Sequence, residues 1–131
     1  MSARQHPVEL IMARGFAANL TTPAFLVDRD GVLVFYNDAA GEILGLTFEE
    51  SGPMPAEEWG ARFAPTGADG RPLEVAELPL SIALAEGRPA HAPMHITSAA
   101  GRAESIEVTA FPVIGQDGQS GAVAIFWSRG P

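Results

Sequence analysis

The segment from Ala24 to Gly45, AFLVDRDGVLVFYNDAAGEILG, narrows the fold of this 131-residue chain more than any other. Phe25, Leu26 and Val27 read as one short β run, Asp28-Arg29-Asp30-Gly31 as a turn whose glycine is free to take positive φ, and Val32 to Tyr36 as the second run. Asn37 stops that strand. Its side-chain oxygen suits an N-cap, accepting a bond from a backbone N–H otherwise orphaned at the start of a helix. Asp38 then meets the positive end of the helix dipole, and Gly45 ends the helix.

The rest of the composition sets outer limits. A chain of 131 residues with 47% hydrophobic and 18% charged residues suits one domain around one core. The formal net charge is −8, and the eight basic residues, all Arg, are scattered. That balance excludes a nucleic-acid partner, because phosphate binding needs clustered cations. There is no Cys, so disulfides, thiolate zinc sites and cysteinyl adducts are excluded. Glu9 and Arg14 interrupt the N-terminal apolar run, which therefore reads neither as a signal peptide nor as a membrane span, and a cytoplasmic location is expected.

In chain order, the spacing predicts a helix from Pro7 to Leu20, assigned to an N-terminal flanking segment, residues 1–20, ahead of a domain at 21–131. Val8, Ile11, Met12 and Phe16 share one line of that helix, and Leu10, Ala13, Ala17 and Leu20 form an apolar line beside them. Thr21-Thr22-Pro23 ends it. After Gly45, the breakers Gly52-Pro53-Met54-Pro55 and Gly67 to Pro72 leave room only for short helices, one of them carrying Trp59 and Phe63. A firmer helix is expected from Glu77 to Glu86, with Pro79 in its first turn, Leu78, Ile82 and Ala85 on one face, and Gly87 as its stop. Three β runs follow, His91 to Ser98, Glu104 to Ile114 and Gly121 to Ser128, separated by turns at Ala100-Gly101-Arg102 and Gly115-Gln116-Asp117-Gly118.

Helix, two strands, short helices, a longer helix and three strands make an α+β order, with five strands expected in one antiparallel sheet and helices on one face. In this order the chain resembles the PAS family of sensory modules from Thr21 to Arg129. The resemblance is carried by Asp28 and Asp30-Gly31, by Asn37 with Ala39-Ala40, by Gly45, by Asp69-Gly70-Arg71-Pro72 before Glu77-Leu78-Pro79-Leu80, and by Gly121-Ala122-Val123. It implies a signal-transduction module, often bacterial, whose cavity between sheet and helices holds a small molecule. Many such domains continue through an Asp-x-Thr junction into an effector. This sequence ends Phe126-Trp127-Ser128-Arg129-Gly130-Pro131, so either an effector in a longer protein or a separate signalling partner is expected. The flavin and coumarate photoreceptors of the family use a Cys, and its haem binders commonly a His on the longer helix. With no Cys and no His between Glu77 and Gly87, neither flavin nor haem is expected.

Residues that invite catalytic chemistry are few. His91 and His95 are four apart on one strand, about 13 Å along it, too far to share a metal. Alternation turns them away from Ala92, Met94 and Ile96. The glutamate pairs Glu49-Glu50 and Glu57-Glu58 read as solvated helix faces, and no Gly-rich turn has the context of a phosphate cradle. No catalytic residue and no metal site is assigned.

The expected ligand-binding residues are apolar: Leu26, Phe35, Leu44, Trp59, Phe63, Ile82, Met94, Ile96, Val108 and Ile125. Any ligand there is an apolar one. The surplus apolar surface of the terminal helix predicts a homodimer through Val8, Ile11, Met12 and Phe16, with Trp127 on the facing sheet. The sequence thus reads as a small-molecule sensor, with a ligand-free dimerisation or docking module as the alternative and a small acid–base enzyme a distant third.

Overall fold

A computed structural model describes residues 6–116 and 118–129; the first five residues of the expected flanking segment, Asp117 of the last expected turn, and the terminal Gly130-Pro131 lie outside them. Helix α1 spans Val8–Ala18, and β1 (Ala24–Asp28) and β2 (Leu33–Tyr36) form the first hairpin. Helices α2 (Asp38–Leu44), α3 (Phe48–Ser51) and α4 (Ala56–Phe63) follow. A 3₁₀ turn at Val75–Glu77 leads into α5 (Pro79–Glu86), and β3 (Ala90–Thr97), β4 (Ala103–Gly115) and β5 (Gly118–Ser128) complete the chain. The strands form one antiparallel sheet in the order β2-β1-β5-β4-β3.

The hairpin and its helix form for local reasons. The Asp28 carboxylate accepts the backbone N–H groups of Asp30 and Val32 at 2.9 and 3.1 Å, and Gly31 takes φ 81°. Asn37 caps α2 by accepting the Ala40 N–H at 2.9 Å, and Gly45 ends it in the left-handed region at φ 77°. Thr47 and Glu50 close a reciprocal capping box on α3. Glu50 is held below the usual carboxylate range, first by the Thr47 backbone N–H.

Two apolar layers result, one on each sheet face. The larger lies under α2, α4 and α5 and includes Phe25, Val27, Tyr36, Trp59, Ile106 and Phe126. The smaller joins Leu10 of α1 to Leu26, Val34 and Val123, with Phe35 and Ile125 partly buried beside it. Helix α1 therefore covers the outer face with its Leu10 and Ala17 line, leaving Val8, Ile11, Met12 and Phe16 between 57% and 69% exposed. Its Glu9 turns inward to accept the Ser120 hydroxyl at 2.6 Å.

In α5 the buried residues are Pro79, Leu80 and Ala83, which corrects the expected Leu78, Ile82 and Ala85 face. Leu78 is buried but precedes the helix, Ala85 is exposed, and Ile82 lies two residues, or about 200° of rotation, beyond Leu80.

Candidate functional site

Between the inner sheet face and the short helices is a cavity of about 80 Å³. Strands supply its floor, with Phe25 from β1, Met94 and Ile96 from β3, Ile106 and Val108 from β4, and Ala124 and Phe126 from β5. Leu44 of α2, Trp59 and Phe63 of α4, Pro65, and Leu78-Pro79-Leu80 at the start of α5 supply walls and roof. Trp59 and Phe63 are four apart, so one face of a two-turn helix carries both into the core.

Six of the ten expected residues meet here: Leu44, Trp59, Phe63, Met94, Ile96 and Val108. The other four do not. Leu26, Phe35 and Ile125 lie on the opposite sheet face, under α1, and Ile82 is turned out of the cavity by the rotation of α5. Cross-strand register explains the first three. Val108 pairs with Phe126, so Phe126 shares its face and Ile125, paired with Thr109, takes the other. On the β1–β2 ladder, Leu26 pairs with Phe35 and Val27 with Leu33, leaving Val34 as a bulged extra residue. The bulge puts both Val34 and Phe35 outside while Leu33 and Tyr36 stay inside. Pro65 and Leu78-Pro79-Leu80 went unassigned because loops and helix starts carry no alternation to read.

The cavity contains almost nothing polar. Trp59 has the one polar side-chain group among its lining residues, and the indole N–H already donates to the Gly31 carbonyl at 3.2 Å. Pro65 and Pro79 have no N–H to offer, and the Pro65 carbonyl accepts the Leu73 N–H at 2.9 Å. In the same apolar layer but outside the cavity lining, the Tyr36 hydroxyl donates to the Leu46 carbonyl at 2.5 Å, and burial raises its pKa above the usual tyrosine value. Among the described residues, no buried side-chain nitrogen or oxygen lacks a hydrogen-bond partner.

The histidines lie elsewhere. His91 is half exposed on the outer face, with Nδ1 2.7 Å from Thr109 Oγ1, Nε2 2.8 Å from Glu107, and its ring tilted over Trp127. Glu107 also pairs with Arg129 at 3.1 Å. His95 Nδ1 meets the Ser105 hydroxyl at 2.8 Å. These pairs follow from β3–β4 register, which sets His91 opposite Thr109 and His95 opposite Ser105. They lie on an open sheet face, outside the cavity. Among the described residues no group of three or more His, Asp or Glu could hold a metal, and no helix is long and apolar enough to cross a membrane.

An open five-stranded antiparallel sheet, roofed on one face by short helices over an apolar cavity, defines the α+β class of this module. The chain belongs to the PAS family, whose family model, described as PAS fold, matches residues 18–129. PAS domains are typically sensory or signalling modules and generally not enzymes. Among solved structures, the LOV protein of Rhodobacter sphaeroides is 19% identical at a TM-score of 0.71, covering 95% of this chain and 69% of that one. The PAS domain of BvgS from Bordetella pertussis is 14% identical at a TM-score of 0.61, covering 94% and 87%. The PAS domain of nitrogen regulation protein NR(II) from Vibrio parahaemolyticus is 15% identical at 0.61, covering 89% and 97%. At these identities the likeness is one of fold. No curated protein matches the chain significantly in sequence.

Proposed function

We propose that this PAS domain is a sensor whose cavity takes a small apolar molecule and whose output passes through α1 to a second copy of the chain or to a signalling partner in the cytoplasm. The observation that carries the reading is the cavity itself, about 80 Å³ and walled by apolar side chains from the inner sheet face and from α2, α4 and α5. With no Cys in the chain and no His on α5, the same reading takes neither flavin nor haem as the ligand. Native mass spectrometry of the purified chain tests it: a mass excess that departs on denaturation supports sensing, and a bare chain after gentle handling favours a ligand-free docking module.

The dimer rests on α1. Its Val8, Ile11, Met12 and Phe16 line is exposed and carries no charge, because Glu9 turns toward Ser120 and Arg14 lies over the Phe35 ring at 4.8 Å. On a chain of net charge −8, that line lets two copies approach without opposed carboxylates. Trp127, 41% exposed on the outer sheet face, is the proposed facing contact. Light scattering at micromolar concentration should report a dimer, and Phe16→Glu should report a folded monomer whose denaturation midpoint no longer depends on protein concentration. A monomeric parent chain would refute the dimer.

A further inference from the structure

We infer that the cavity admits only the hydrocarbon part of a ligand, one small apolar ring or the end of an alkyl chain, and rejects any group that must form a hydrogen bond inside. The inference rests on the sensory reading of the cavity and narrows it to a chemical class. Polar ligands are bound where convergent polar groups replace the water they lose. Here the lining presents almost no polar surface, and several of its polar groups are already committed. The Trp59 indole N–H is held by Gly31, the Pro65 carbonyl by Leu73, and the Leu78 carbonyl by the Ile82 N–H at 3.0 Å. The Leu44 carbonyl accepts the Ala99 N–H at 2.7 Å. A heteroatom entering this space loses its water and gains nothing, whereas a C–H surface gains contact with Phe25, Phe63, Met94 and Phe126. Met94 suits such a guest, since its thioether is flexible and polarizable. At about 80 Å³ the cavity is smaller than the roughly 150 Å³ hydrocarbon cavity that stays dry and binds benzene. One ring is therefore the upper limit of size, seated with an edge toward the mouth.

Benzene and pyrazine make the test, because they have nearly the same shape and differ in two ring nitrogens at opposite ends. No orientation of pyrazine keeps both nitrogens in water. Thermal unfolding of the full chain is followed with benzene and pyrazine, for the parent and for Ala124→Val and Val108→Leu, two substitutions that fill the cavity from different strands. Benzene should raise the melting temperature saturably, with pyrazine roughly 10- to 100-fold weaker. Whichever filled variant folds should lose the benzene response. A filled variant that folds and keeps the response would place benzene elsewhere and overturn the inference. Pyrazine binding as well as benzene would overturn the chemical class while leaving a ligand-binding cavity intact. So would a co-purified molecule that native mass spectrometry identifies as having neither an alkyl end nor an apolar ring. If no probe binds and the purified chain is bare, the sensory reading of the cavity fails together with the inference.

Discussion

Replacing Asn37 should cost far more than the loss of a helix cap. The side chain is 2% exposed and joins three parts of the fold. Its Oδ1 accepts the N–H groups of Ala24 at 3.1 Å and Ala40 at 2.9 Å, tying the start of β1 to the start of α2. Its Nδ2 donates to the carbonyls of Ala17 at 3.0 Å and Thr22 at 2.9 Å, with Leu20 farther off at 3.5 Å. Capping alone is worth about 1 kcal/mol. Four bonds, three of them buried, at about 1 kcal/mol net each raise the expected cost of Asn37→Ala to about 3–4 kcal/mol. Asn37→Asp separates the two roles. It keeps an oxygen for both N–H groups, and aspartate caps helices as well as asparagine does, but it turns a second oxygen on the α1 and Thr22 carbonyls. Urea denaturation with amide hydrogen exchange is the assay. Both variants should be strongly destabilised, and the Asp variant should lose protection first across α1. A loss near 1 kcal/mol for Ala with none for Asp would show that Asn37 is only a cap.

Gly121→Ala should destabilise the domain by about 1–3 kcal/mol in chemical denaturation, because a Cβ there would overlap the Val27 carbonyl oxygen and crowd Leu10; an unchanged midpoint would contradict that packing. Ala64, at φ 44° in the left-handed region after α4, should tolerate glycine with no loss or a gain of up to about 1 kcal/mol, and a loss of that size would show that the backbone is not strained there. Tyr36→Phe should cost about 1 kcal/mol at neutral pH through the bond to Leu46. Burial raises the Tyr36 pKa, so its contribution is whole below the unfolded value near 10 and is lost as pH rises through the folded one. The gap in midpoint between parent and variant should therefore close on the alkaline side, and a gap constant with pH would refute the titration.

What could be read directly from the sequence was local. The Asp28 to Gly31 turn, the Asn37 cap and the Gly45 stop each rest on residues within a few positions of one another, and all three form as expected. Division of β4 into Ile106, Val108 and Ala110 against Phe111 and Val113 was likewise visible as alternation. Which alternation faces the cavity was not. Ile125 and Phe126 are equally apolar neighbours, and only the pairing of Val108 with Phe126 decides between them. Phe35 was misplaced for a related reason, since the bulge at Val34 shifts the parity of β2 between Leu33 and Phe35. For Ile82 the deciding fact is where α5 begins: Pro79 opens the helix and turns Leu80 and Ala83 inward. Asn37 was legible as a cap, but its bonds to Ala17 and Thr22 depend on α1 crossing the outer face, which no spacing in the sequence encodes.

Xenon binding gives the most direct test of the central proposal, that the apolar cavity between the inner sheet face and the helices is the sensing site of this domain. Crystals of the full chain pressurised with xenon should show one strong site bounded by Trp59, Met94, Val108 and Phe126, and that site should vanish in whichever of Ala124→Val and Val108→Leu crystallises. Crystals without xenon at that position, or with xenon only beneath α1 on the outer face, would contradict it.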